Sequence, residues 1–258
     1  MNIDMIQQFI REKTPAWLFL LLLLGIWEIA VESHWVADYL LPSPRAIVAA
    51  TIDNWSDISS ATLSTLGSIA WGLALSCATG ITLAVLFFAI PIVRRAVLPF
   101  CVFFQTVPII AIAPLLVIWF GFGAPTVKAS AFIVSLFPIL ANTLTGLQQT
   151  DPLLKELFQL YRPTRWALIT KLQLPSALPY ILAGMRIGIG LAVIGAIVGE
   201  FIAGGGIGSL IDSARTQQRV DLVFSGVLMS SLLPLLLILA LDAIARLLMG
   251  RRPYLRES

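Results

Sequence analysis

Charge is what this sequence has least of. Only 12% of its 258 residues are Asp, Glu, Lys or Arg, against about a quarter in soluble domains. The shortage is concentrated. No charged residue occurs between Asp57 and Arg94, Arg95 and Lys128, Lys128 and Asp151, or Asp221 and Asp242. Each gap matches or exceeds the roughly 20 residues that cross a bilayer. A soluble domain is thereby excluded. Open sheets cannot span lipid, so the runs read as helices of an all-α, polytopic membrane protein.

Other scarcities exclude chemistry. Cys77 and Cys101 lie in apolar runs with no CxxC and no metal-ligand spacing, so they read as small core residues. The lone His34 reads as a solvated interface residue. With one histidine and no HExxH, an intramembrane hydrolase lacks its parts. No GxxxxGK[ST] loop occurs, so the chain does not bind ATP by that route. No basic run is interleaved with aromatics, which argues against nucleic acid. The alternative of a self-contained secondary transporter or channel would need ionisable groups at mid-membrane or an internal repeat, and neither is present.

What is there is 58% hydrophobic. Six spans are predicted, at Pro15–Ser33, Thr62–Ile90, Ala96–Phe120, Thr126–Leu147, Pro179–Ile202 and Val223–Leu248. No small-residue cleavage site follows Arg11 and Lys13, so the first span reads as uncleaved. Thirteen basic residues fall on one side: Arg11, Lys13, Arg94, Arg95, Lys155, Arg162, Arg165, Lys171, Arg186, Arg246, Arg251, Arg252 and Arg256. Arg45, Lys128, Arg215 and Arg219 fall on the other. The asymmetry places both termini in the cytoplasm. A single transmembrane domain over 1–258 is expected, with a polar loop at about 151–178. Ser43 and Pro44 start a short helix with a weak apolar face (Ile47, Val48, Ile52, Trp55), expected on the outer membrane surface. The tail after Met249 is too short to fold alone.

The polar loop is an amphipathic island. Asp151 caps and Pro152 opens a helix whose Leu153, Leu154, Leu157, Phe158 and Tyr161 share a face. Lys155, Glu156 and Gln159 fall opposite. Pro163 stops it, and Thr164 caps a second helix that Leu174-Pro175 and Pro179 end. Such a bent, one-sided hairpin suits a partner's groove or, alternatively, the lipid headgroups.

The island carries a resemblance. Permease subunits of ABC importers have a cytoplasmic loop of form E-A-A-x3-G-x9-I-x-L-P. Here Glu156, Leu157, Phe158, Arg162, Leu172, Leu174 and Pro175 hold those places at the same spacing. Both alanines and the glycine differ, and Leu172 stands in for the isoleucine. Arg162 stands at the glycine, and Pro163 after it is expected to supply the break instead. Gln105–Pro108, Ala113–Leu115, Trp119–Gly123, Leu178–Tyr180, Gly184–Arg186, Gly199–Phe201, Gly206–Gly208, Trp27-Glu28 and Leu41–Pro44 are similar to the nitrate/sulfonate/taurine branch of these permeases. Gly204–Gly208 follows a membrane span rather than a strand, so it is not a nucleotide loop.

The resemblance implies a type I ABC importer permease of the bacterial inner membrane. Its partners would be an ABC ATP-binding subunit, a periplasmic or extracellular solute-binding protein and a second permease copy in a homodimer. ATP would sit on the partner, and this chain would be no enzyme and hold no cofactor or metal. The island would be the coupling helices. Glu156, Arg162, Arg165 and Lys171 would face the ATPase, with Leu157, Phe158 and Tyr161 as apolar anchors. Pro163, Leu174 and Pro175 belong to the same coupling segment, Pro163 at its break and Pro175 with Pro179 setting the angle into the fifth span. The bland alternatives are solvated charge and inside-positive topology. Candidates for the translocation path are Gln105, Thr106, Pro108, Asn142, Met185 and Glu200. The polar ones could equally serve interhelical hydrogen bonds. Glu200, near the outer end of its span, is divided between an outer-gate hydrogen bond and a snorkelling side chain. Glu28 reads as structural. Glycines of spans two and five look like close-packing positions, span five being smooth enough to slide at a dimer seam. Pro108 and Pro114 should kink or break span three. The cargo would be a small organic or anionic solute of the nitrate, sulfonate, taurine or pyrimidine-precursor type.

Overall fold

The computed structural model describes residues 3–37 and 39–249, with side chains for 15, 18–37 and 39–246. The tail after Met249 and the side chains of Arg11 and Lys13 lie outside the described residues. Every regular element among the described residues is helical. Among the described residues, four helices are long and apolar enough to cross a membrane, and a bent pair makes a fifth. That count covers the described residues alone, and the first predicted span falls in α1 (Ile3–Glu32), part of whose side chains lie outside them. The chain forms two compact units.

One unit holds the residues up to Ile58 with Leu210–Leu228. In it α2 (Pro44–Asp53) starts as expected, with Ser43 Oγ accepting from the Ala46 N–H at 3.2 Å. It stops earlier than its apolar pattern suggests. Asn54 caps it and sends Nδ2 to the Ala50 carbonyl (2.8 Å), so Trp55 opens the next helix. Ile47 and Ala50 are buried, so this helix packs on protein as well as showing Val48 and Ile52 outward. Glu28 is structural: it accepts from the Arg45 N–H at 3.3 Å and meets its guanidinium at 3.6 Å.

The other unit spans Ser59–Ser209 and Met229–Ser258. It contains most of α3 (Trp55–Ala89), then α4 (Pro91–Thr106), α5 (Ile109–Phe120), α6 (Ala124–Gln148) and α10 (Leu178–Ala203), with the island between the last two. Helix α6 is its axis. Gly184, Gly188, Gly195 and Gly199 of α10 face it so closely that a Cβ on Gly195 would lie 2.5 Å from Val134 Cγ2. Gly72 and Gly80 of α3 approach α6 likewise, at Ala131 and Ile139. Without a hydrophobic drive between helices in lipid, small residues that admit dense packing supply the association. Ser76 adds a hydrogen bond to the Phe132 carbonyl (2.8 Å) beside Ser135 Oγ at 2.7 Å. The glycine face of α10 is thus spent inside the chain and is not the free sliding surface expected of a dimer seam. Gly190 and Gly67 have open space instead.

Span three is broken rather than kinked. Helices α4 and α5 meet at 103° across Val107-Pro108. Pro108 has no N–H to continue α4, and its ring pushes Val107 into extended backbone (φ −74°, ψ 123°). Pro114 stays inside α5. Gly121 and Gly123, both at positive φ, then turn the chain into α6, and the Gly123 N–H is held by the Ala203 carbonyl at 2.8 Å. This gives the Trp119–Gly123 motif its physical meaning.

Candidate functional site: an exposed hairpin and a cavity at a broken helix

The island divides into an exposed tip and a seated root. Helix α7 (Pro152–Gln159) begins with Asp151 Oδ1 accepting from the Leu153 N–H at 2.8 Å. Leu153, Leu154, Leu157, Leu160, Tyr161 and, after the bend, Trp166 are all exposed, Tyr161 by 83%. Glu156, Arg162 and Arg165 are exposed beside them, while Phe158 is half-buried. Trp166 was legible only as part of a helix, and the structure puts it among the outward aromatics.

Arg162 corrects an expectation. Its φ is +47°, the left-handed region that glycine occupies freely. The bend therefore lies at Arg162 itself, in a conformation that glycine would adopt without cost, rather than in the extended backbone expected before Pro163. Holding a bulky side chain there costs roughly 1–2 kcal/mol.

The second helix also differs from expectation. Thr164 caps α8 (Arg165–Leu168), accepting from the Ala167 N–H at 3.2 Å. Neither Pro175 nor Pro179 then ends the run. A π turn, Ile169–Gln173, leads into α9 (Leu174–Ser176) and α10. Leu174 donates to Ile169, one residue farther back than in an α-helix, and the wider turn admits the Pro175 ring. Pro179 falls in the first turn of α10, where its missing donor costs nothing. Ile169, Gln173 and Ala177 are buried at this root. Asp151, Leu154, Lys171, Leu172 and Pro175 share a cleft of about 750 Å³ there.

The path candidates separate. Gln105 and Asn142 line one cavity of about 550 Å³ at the α4–α5 break, with Phe104, Val107, Ile109 and Phe137. Asn142 Nδ2 donates to the Pro138 carbonyl at 2.9 Å. Pro108 forms the bend itself. Thr106 turns its hydroxyl back to the Phe103 carbonyl (2.7 Å) and is not in the lining. Met185 instead packs between two apolar clusters, one around Phe87 and Leu140, the other around Ile189 and Leu241. Phe104 and Phe137 carried no signal in the sequence, because an apolar wall residue looks like any other residue of a span.

Glu200 is neither in this cavity nor snorkelling, since it is 2% exposed. One carboxylate oxygen accepts from Thr65 Oγ1 (2.7 Å) and the other from the Gly208 N–H (2.8 Å). Thr65 Oγ1 in turn accepts from the Ile207 N–H at 2.9 Å. The pair closes the N-terminus of α11 (Gly206–Thr216), where free N–H groups favour a negative charge. A Cβ on Gly206 would strike Glu200 Oε1 and Thr65 Oγ1, and one on Gly208 would lie 2.7 Å from Glu200 Cβ. Gly-Glu-Phe and Gly-Ile-Gly are thus two halves of one cap. Arg186 also has a role the charge count missed: Nε and Nη2 both donate to Asp242 Oδ1, at 2.9 and 2.7 Å.

Residues 72–252 match the family described as binding-protein-dependent transport system inner membrane component. The chain belongs to this family. The permease is 41% identical to the formylaminopyrimidine transport permease protein ThiX of Halalkalibacterium halodurans, over 91% of this chain and 94% of that one. It is 33% identical to the riboflavin transport system permease protein RibX of Chloroflexus aurantiacus, over 89% and 87%. With the taurine transport system permease protein TauC of Escherichia coli it shares 28%, over 88% and 86%. The family and these relatives make it the permease subunit of an ABC importer, an integral membrane protein of the nitrate/sulfonate/taurine branch.

Proposed function

We propose that the hairpin from Pro152 to Pro175 seats an ATP-hydrolysing subunit, which binds the nucleotide, while this chain forms the membrane path and holds no cofactor. The observation that carries the reading is the tip of the hairpin. Leu153, Leu157, Leu160, Tyr161 and Trp166 are exposed together beside Glu156, Arg162 and Arg165. An apolar patch of this kind, rimmed by charge, fits a partner's groove. The excess of basic residues in the same loop supports a cytoplasmic position for it and for both termini. A solute-binding protein on the far side and a second copy of this chain complete the assembly, in the inner membrane of a bacterium. Closure of the ATPase would act by favouring one of two permease conformations. The cargo is a small organic or anionic solute; formylaminopyrimidine, riboflavin and taurine in the names of the relatives bound its range.

The test is copurification. Leu157→Ser with Trp166→Ser should leave the permease inserted and lower ATPase capture at least ~30-fold, the loss expected for about 2 kcal/mol of interface anchor. Full retention of the ATPase by the double variant would remove the hairpin from its role.

A further inference from the structure

The cavity at the broken helix narrows the cargo. We infer that it recognises an uncharged, planar heteroaromatic solute bearing both hydrogen-bond donors and acceptors, of the aminopyrimidine kind. The inference rests on the reading of this chain as the membrane path of an importer.

The volume, about 550 Å³, lies within the range of small-molecule sites. Its polar side chains are two carboxamides, Gln105 and Asn142, and none of the residues lining it is ionisable. The Gln105 amide makes no hydrogen bond among the described residues, and Asn142 commits only Nδ2, to Pro138. A carboxamide presents a donor and an acceptor side by side, the complement of an amino group next to a ring nitrogen. Phe104 and Phe137 supply aromatic wall for a flat ring.

Charge is decided by what faces the cavity. An anion moved here would shed its hydration with no cation in this lining to replace it. A cation would find no carboxylate. The break itself supplies no net sign. The last carbonyls of α4 and the first N–H groups of α5 meet at Val107 and Ile109, both in the lining, so opposite partial charges lie together. A neutral solute with both kinds of polar edge uses that arrangement; a sulfonate or nitrate does not.

The test uses the importer assembled with its own ATPase and solute-binding protein in proteoliposomes at pH 8, where aminopyrimidines are neutral. Radiolabelled aminopyrimidines and riboflavin are compared with taurine, methanesulfonate and nitrate. Entry of at least one uncharged member, with its initial rate cut at least tenfold by Gln105→Leu and by Asn142→Leu, is the expected result. Gln105→Glu should be equally damaging. Import of the anions alone, import of no uncharged member, or wild-type rates in both Leu variants would each overturn the inference while leaving the importer reading intact. Should Asn142→Leu fail to elute as an intact assembly, Gln105 decides, since it has no internal bond to lose. Failure of the wild-type permease to capture its ATPase would overturn both readings.

Discussion

The α6–α10 seam and the α7–α8 hairpin are close in sequence and opposite in physics. Along the seam, glycines bring two backbones together until a single added carbon has no room. In the hairpin, leucines and aromatics point outward and Arg162 is held in a conformation it does not favour. The seam satisfies itself within the chain. The hairpin leaves its apolar surface and its strained bend uncovered within the chain. In the proposed assembly the two complement each other: a rigid body to move, and a handle for the ATPase that moves it.

The sharpest way to break the rigid side is Gly206→Ala. The new methyl would strike Glu200 and Thr65 at a residue whose φ is +64°, so clash and backbone strain add. A loss of about 3 kcal/mol or more is expected, read as collapse of the folded peak in detergent size exclusion. Gly195→Val against Gly190→Val comes next, because the two sites share a helix and differ only in what they face. The first should destabilise by about 1–3 kcal/mol by overpacking against Val134 and Ser130. The second meets open space and should leave the thermal midpoint within the scatter of surface substitutions, about ±0.5 kcal/mol. Equal effects would erase the distinction between the packed seam and the open side of α10. The smallest expected effect lies in the hairpin. Arg162→Gly should stabilise the permease by about 1 kcal/mol through relief of the left-handed strain. A lower melting temperature would mean that the Arg162 side chain holds the bend through contacts of its own.

Legibility followed the range of the interactions. The caps at Ser43, Asp151 and Thr164 were readable because a cap and its N–H lie within three residues. The failure of Pro175 to stop a helix was not, because a π turn upstream absorbs its ring. Glu200 looked costly in the sequence, yet its partners are Thr65, 135 residues away, and a backbone N–H presented by three glycines at positive φ. Arg186 was counted as topology charge because Asp242 lies 56 residues on. Met185 passed for a path residue because nothing local distinguishes a cavity wall from a core contact.

By itself the sequence determined that this chain crosses lipid, that its spans are helical, where most helices start, and that one polar hairpin stands apart. These follow from hydration and from hydrogen bonds a few residues long, which any local stretch must obey. Only the tertiary structure decided which face of α10 its glycines serve, that span three turns by 103°, and that Gln105 and Asn142 share a cavity while Glu200 caps a helix. Those outcomes depend on which distant surfaces meet, and packing at van der Waals distance is settled between helices rather than along them.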